Sequence, residues 1–209
     1  MNIVSPVIEQ YLNGLDPITD PVLLEMETYA ASLRFPIVGP LVGRVLYQLA
    51  MISGARRIFE MGSGFGYSAY WFAKALSPYG KIFCTDASAD HARRAQNTFE
   101  KNGWTATLQF QVGNALTMID QVPGEFDIIF NDIDKEDYPQ AFHKALPRLR
   151  RGGLLISDNV LWGGAVATDD SRASTAGIRE YTRLIFSNEN LVSSILPIRD
   201  GVSITVKLV

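Results

Sequence analysis

Three side chains that carry oxygen atoms could bind a metal ion. They follow two short apolar runs and therefore come directly after predicted strands. Asp132 comes after residues 126–131, and Asp158 and Asn159 come after residues 153–157. Oxygen ligands without His or Cys suit a hard cation, Mg²⁺ first, with Ca²⁺ or Mn²⁺ as alternatives. Three protein ligands also leave coordination positions for water and two substrate oxygens. Taken singly, such residues are often turns or caps, but their combination predicts a metal site.

A second chemical signal is the glycine-rich run that begins at Glu60 and continues through Gly62, Gly64 and Gly66. Glycines let the backbone turn tightly beside a ligand, and the helix that follows presents free N–H groups. Tyr67 stands where a dinucleotide fingerprint has its third glycine, which disfavours a nicotinamide-dependent oxidoreductase. The run resembles instead the first motif of S-adenosylmethionine (SAM) methyltransferases, in which a carboxylate suits a cationic ligand. A plain strand-to-helix turn is the alternative interpretation.

Two further turns could contact an adenosine cofactor. Asp86 lies twenty residues beyond Gly66, where a carboxylate can accept both ribose hydroxyls. It could otherwise cap the next helix, although Ser88 is the better cap candidate. Asn114 and Ala115 follow the third strand, either beside the adenine or as an ordinary turn.

Strand-like and helix-like runs alternate from residue 56 onward, which predicts an α/β fold with a mostly parallel sheet covered on both faces. Ligands in such sheets bind outside the carboxyl ends of the strands. The predicted strands are 56–60, 81–85, 107–112, 126–131 and 153–157, and the terminal runs 191–196 and 202–209 predict an antiparallel hairpin. The predicted helices are 67–76, 89–102, 115–121, 138–150 and 176–187.

The first 55 residues show helical spacing and no strand signal, so we expect an N-terminal helical cap (1–55) on a core of 56–209. These helices could simply cover one face of the sheet. Alternatively, the segment 34–40 lies over the cofactor or makes a dimer contact. A chain of 209 residues with 47% hydrophobic content fits a single domain, 1–209.

Composition limits the partners and the location. The net charge of −3 and the pI near 5.4 argue against a nucleic-acid surface and favour a small-molecule substrate. Cys84 stands alone in an apolar run, which is typical of a buried, reduced cysteine. Neither a signal peptide nor a membrane-length apolar run is visible, and we expect a cytoplasmic protein without membrane contact.

Four segments together resemble the cation-dependent small-molecule O-methyltransferases, which include catechol and caffeoyl-CoA O-methyltransferases. The likeness covers nearly the whole chain and rests on FEMGSGFGYS (59–68), FDIIFNDIDKEDY (126–138), GGLLISDNVLWGG (152–164) and LPIRDG (196–201). It implies a Rossmann-like SAM-methyltransferase fold with a seven-stranded sheet, and a homodimer. Two residues depart from the family pattern: Asn131, where an aliphatic residue is usual, and Asn114, where Pro or Asp is common.

The resemblance also implies roles for individual residues. Asp132, Asp158 and Asn159 match the metal ligands, and Lys135 matches the general base, with Asp132 beside it. The alternative for Lys135 is a solvated surface lysine. The matches to cofactor-binding positions are Val38, Glu60, Gly62, Ser63, Gly64, Tyr67, Ser68, Asp86, Asn114, Ala115 and Asp132.

The predicted function is SAM-dependent and divalent-metal-dependent methyl transfer to one hydroxyl of a catechol-like phenolic compound. Trp162 could form an apolar wall for the aromatic ring, or it could be a core residue. The alternatives are a SAM-dependent methyltransferase that acts on another small acceptor and a non-catalytic SAM-binding protein. The nicotinamide-dependent oxidoreductase stays a third, disfavoured alternative.

Overall fold

The computed structural model describes residues 3–104 and 107–209, and its centre is a seven-stranded sheet. The strand order is β3-β2-β1-β4-β5-β7-β6. Strands β1 to β5 pair in parallel, whereas β7 pairs antiparallel with both β5 and β6. This topology confirms the predicted Rossmann-like fold and its terminal hairpin. The strands are β1 (Arg57–Met61), β2 (Lys81–Asp86), β3 (Leu108–Val112), β4 (Phe126–Asn131), β5 (Leu149–Ser157), β6 (Leu191–Leu196) and β7 (Val202–Lys207).

Eight α-helices surround the sheet in the described ranges. Three of them precede β1, as the helical spacing of the first residues predicts, although residues 1 and 2 of the predicted cap lie outside the description. Local capping explains several helix starts: Asp20, Ser88 and Asn114 each accept a backbone N–H at the head of a helix. The helices are α1 (Pro6–Leu15), α2 (Pro21–Leu33), α3 (Gly39–Ser53), α4 (Tyr67–Ala75), α5 (Ala89–Lys101), α6 (Ala115–Gln121), α7 (Tyr138–Ala145) and α8 (Ala173–Ser187).

Two apolar clusters cover the two faces of the sheet. Successive residues of β1 point to opposite faces, so that Ile58 enters one cluster and Phe59 the other. Leu23 of α2 and Leu46 of α3 are buried in the same cluster as Ile58. The N-terminal helices and the sheet thus share one apolar cluster, and the single domain 1–209 stays a prediction. No described helix is both long and apolar enough to cross a bilayer.

The predicted helix 138–150 is wrong in its second half. Helix α7 ends at Ala145, a short 3-10 turn follows, and β5 begins at Leu149 rather than at residue 153. Leu149 is fully buried and pairs with Phe126, and the register then shifts, so that Gly152 and Gly153 lie in an irregularity within the strand. The glycines that suggested a helix stop therefore interrupt a strand. Helix α8 also begins three residues before the predicted 176, and β7 ends two residues before 209.

Candidate active site

The turns that follow the parallel strands surround a cavity of about 1030 Å³. Its position outside the carboxyl ends of the strands is that of ligand sites in open α/β sheets. Residues Phe35 to Val38 also line the cavity, so the segment 34–40 borders it, and its contact with a cofactor stays a prediction. The core contributes the segments 62–65, 67–68, 85–87, 113–115, 132–137 and 158–159, and Trp162, Ser174, Arg199 and Asp200 complete the wall.

The glycine loop after β1 lies directly against the turn after β4. Gly62 has a φ of +80°, and a Cβ atom there would overlap the carbonyl oxygen of Asp132. The amides of Gly62 and Ser63 both donate to the carbonyl of Thr85, at 3.1 and 2.8 Å. Glycine is required at position 62 because it permits both the left-handed backbone and this close approach.

Asp86 stands at the end of β2 and is already hydrogen-bonded within the protein. Its Oδ2 accepts the Gly64 amide at 3.0 Å, and its Oδ1 accepts the Ser88 amide at 2.8 Å. His91 Nδ1 lies 3.0 Å from Oδ1. Ser88, as expected, caps helix α5. Because a carboxylate has about four acceptor positions, Asp86 keeps one of them, on Oδ2, for a ligand hydroxyl.

Most of the remaining predicted cofactor positions line the same cavity. Asn114 and Ala115 line the cavity, and the Asn114 side chain also caps α6 through the Leu116 amide at 2.8 Å. Val38 and Tyr67 line it as well, and the Tyr67 hydroxyl donates to Glu27 of α2 at 2.7 Å. That bond connects the N-terminal helices to the start of α4.

Glu60 is the exception among these positions, because it does not line the cavity. It is fully buried behind the wall, where its carboxylate accepts the hydroxyl of Ser68 and the Cys84 thiol, the latter at 3.3 Å. Burial raises the pKa of Glu60 to about 7. Ser68 does line the cavity, so its hydroxyl connects Glu60 to the cavity wall.

The predicted metal ligands lie at the ends of β4 and β5. The Asp132 amide donates to Met61 at 2.9 Å, and the Asp158 amide donates to Asn131 at 3.2 Å, which aligns the two turns. Asp158 is 5% exposed, and its Oδ1 has no hydrogen-bond partner among the described residues. Burial, and then the nearby charge of Asp132, raise the pKa of Asp158 to about 7.

Asn159 completes the predicted ligand set from a left-handed backbone with a φ of +56°, and it lines the cavity beside Asp158. Within the described ranges, no three His, Cys, Asp or Glu side chains converge as a metal site. The predicted set has only two carboxylates and an amide, so metal binding stays a prediction. Asn131, the departure from the family pattern, is fully buried and donates to Ser157 Oγ at 3.3 Å.

Lys135 is held at the cavity wall rather than in solvent. Its side chain is 9% exposed, and Nζ donates to Asp132 Oδ1 at 2.8 Å and to the Ile133 carbonyl at 3.2 Å. Nζ also lies 4.9 Å from the ring centre of Tyr138 and 6.0 Å from that of Trp162. This geometry places an amine, a carboxylate and an aromatic surface at one end of the cavity.

Several lining residues are not singled out by the sequence as site residues, although Phe35 belongs to the segment 34–40. Phe35 covers the glycine loop, since a Cβ on Gly64 would lie 3.0 Å from its ring. Ile133, Arg199 and Asp200 belong to segments that carry the family resemblance, but neither their types nor their spacing indicates contact with a ligand. The β6–β7 turn brings Arg199 and Asp200 to the cavity from the far end of the chain.

Comparisons with known proteins agree with this architecture. The profile of a family described as O-methyltransferase matches residues 21–208. A catechol O-methyltransferase from Niastella koreensis is 31% identical over 202 residues, which cover 93% of this chain and 91% of that protein. An O-methyltransferase from Bacillus cereus in complex with SAH superposes with a TM-score of 0.87 at 30% identity, over 96% of this chain and 97% of the other.

A third relative has the same fold. The O-methyltransferase TomG from Streptomyces achromogenes, in complex with SAM, superposes with a TM-score of 0.89 at 26% identity, over 97% of this chain and 96% of the other. The family profile, the sequence comparison and the structural superposition thus agree over nearly the whole chain. The cavity of this chain lies where α/β enzymes bind their ligands. We conclude that this chain belongs to the O-methyltransferase family and shares the fold of its SAM-bound members.

Proposed function

We propose that this enzyme transfers the methyl group of SAM to one hydroxyl of a vicinal dihydroxyaromatic compound, with the help of a divalent cation. The observation that carries the proposal is the buried Oδ1 of Asp158, which has no hydrogen-bond partner among the described residues and belongs to a residue that lines the same cavity as Lys135 and the glycine loop. A buried carboxylate oxygen without a hydrogen-bond donor is costly unless a ligand compensates it.

The cofactor is proposed to lie along the turns after β1, β2 and β3. Asp86 would accept a ribose hydroxyl, and Asn114 with Ala115 would contact the adenine. Val38, Tyr67, Ser68 and the backbone of Gly62, Ser63 and Gly64 would enclose the methionine part. SAM-bound and SAH-bound relatives with the same fold support this assignment.

The donor set at the other end of the cavity fits a hard cation. Asp132 and Asp158 supply carboxylate oxygens, and Asn159 supplies an amide oxygen. When bound there, Mg²⁺ or a similar ion would orient vicinal hydroxyls and lower the pKa of the reacting one. The catechol O-methyltransferase of Niastella koreensis supports this class of acceptor.

The residues of the chain then perform the remaining steps. Lys135 would accept the proton of the reacting hydroxyl at Nζ, and Asp132 orients that amine through its 2.8 Å contact. Trp162 would provide an apolar wall beside the aromatic ring. Phe35 and its neighbours would exclude water, which favours the reaction of an oxyanion with a sulfonium because both charges disappear in the product.

We also propose a homodimer. Helix α1 has no buried residue, and its apolar side chains Val7, Tyr11 and Leu15 are more than 60% exposed. A second copy of the chain would cover this surface. Light scattering after size exclusion would measure the mass, and a monomeric mass at micromolar concentration would exclude this assembly.

The decisive experiment is methyl transfer from labelled SAM to a panel of catechols, with Mg²⁺, with chelator, and with the variant Asp158→Ala. We expect product only with both the metal and Asp158. Asp170→Ala, which changes an aspartate outside the cavity, is the matched control. If SAM binds but no catechol reacts, the proposed acceptor or the proposed catalytic residues are wrong. Product that forms equally well with chelator would exclude the proposed role of the divalent cation.

A further inference from the structure

The turn between β6 and β7 presents a cation to the cavity that the proposed reaction does not use. Arg199 has a left-handed backbone with a φ of +51°, which is uncommon for a residue with a side chain. The turn is tied to the loop after β5, because Val160 and Leu161 donate to Gly201 and Asp200 at 3.0 and 2.9 Å. Arg199 is therefore held beside the predicted metal ligands.

The charges on the wall distinguish Arg199 from the other lining cation. Two cationic side chains line the described cavity, Lys135 and Arg199. Lys135 is paired with Asp132, whereas Arg199 makes no ion pair with any described residue. A guanidinium on a cavity wall that donates to no described side chain or carbonyl is suited to bind an anion through two parallel hydrogen bonds.

The neighbours of the guanidinium show at which end of the cavity it lies. It lies directly over Gly39, where a Cβ atom would overlap Nη1. The turn also leads into β7, whose Ser203 pairs with Ser157, the residue before Asp158. The sheet order thus places Arg199 near the N-terminal segment at the β5 side of the cavity, whereas Asn114 follows the edge strand β3.

We propose that Arg199 binds a carboxylate carried by the acceptor, so that the preferred substrate is an acidic dihydroxyaromatic compound. This inference rests on the proposed function, since it assigns the acceptor to the end of the cavity at Asp158. The cofactor also has a carboxylate, on its methionine part. Binding of that group by Arg199 is the competing outcome that the test must separate.

The test compares two probes that differ in one charge: 3,4-dihydroxybenzoate and its methyl ester. Calorimetry would measure the dissociation constant of each probe for the protein saturated with SAH and Mg²⁺, and separately that of SAH alone. The wild type should bind the acid more tightly than the ester. Arg199→Gln should reduce that preference about 10- to 100-fold, and Arg199→Lys should recover part of it.

Arg151→Gln is the matched control, because Arg151 is exposed on β5 and does not line the cavity. Equal binding of acid and ester by the wild type, no binding of either, or an unchanged preference in Arg199→Gln would overturn the inference. So would a loss that appears only in SAH affinity, because Arg199 would then bind the cofactor.

Turnover of the ester separates the two proposals. If the wild type methylates the ester but Arg199→Gln keeps the preference for the acid, the proposed function stands and this inference fails. If no probe is methylated but the preference for the acid depends on Arg199, the inference stands and the proposed reaction fails.

Discussion

Replacing Glu60 with Gln should remove a pH-dependent loss of stability. Burial raises the pKa of this carboxyl from 4.5 to about 7, in spite of the hydrogen bonds from Ser68 and Cys84. Above pH 4.5 the unfolded chain releases the proton, whereas the folded protein keeps it until about pH 7. Wild-type stability therefore falls as the pH rises through this window, by about 2–3 kcal/mol between pH 5 and pH 8.

Urea unfolding of wild type and Glu60→Gln at pH 5 and pH 8 measures this effect. The free energy of unfolding of the variant minus that of the wild type should increase by about 2–3 kcal/mol from the lower to the higher pH. Any pH-independent cost of the amide cancels, and so does the titration of groups common to both proteins. Dilute protein is needed near the pI of 5.4.

Glu25→Gln supplies the baseline for the same substitution on the surface, because the Glu25 side chain is 70% exposed. An identical difference between wild type and Glu60→Gln at both pH values would refute the reasoning. It would mean that Glu60 is ionised in the folded protein throughout, and that burial does not dominate its environment.

Three further substitutions test the packing of the site. Tyr138→Phe leaves a buried carbonyl unpaired and should lower the free energy of unfolding by about 1–2 kcal/mol; unchanged urea unfolding would contradict this. Gly62→Ala should lower the free energy of unfolding by about 2 kcal/mol and weaken SAM binding; a wild-type affinity for SAM, measured by calorimetry, would contradict this. Gly177→Ala would press on the Lys135 carbonyl and should reduce methyl transfer more than SAM affinity; Gly14→Ala, in open space, is the control, and equal rates would contradict the expectation.

Local signals account for most of the fold that the sequence predicts correctly. Helix α6 has the predicted bounds 115–121, because Asn114 provides its cap within the same segment. Five parallel strands were recognisable from short apolar runs separated by helices. The error at 138–150 arises where local and distant interactions compete: Leu149 pairs with Phe126 of another strand, and no pattern within 138–150 contains that information.

For the candidate site too, one part is predictable from the sequence and another is not. Residue types at strand ends, such as Asp86, Asp132 and Asp158, were sufficient to predict a common location, because parallel strands all end at one edge of the sheet. The direction of each side chain was not predictable. Glu60 lies in the strand β1 and is buried behind the wall, so it supports Ser68 from there.

The sequence by itself determined the order of the elements, the family and the segments that approach a ligand, because these depend on short-range spacing. Only the tertiary structure decided which side chains face the cavity. Phe35 and Arg199 reach it from opposite ends of the chain, and the packing leaves Asp158 Oδ1 without a partner among the residues that the structure describes. Such contacts depend on helix packing and strand pairing between distant segments, which no local pattern encodes.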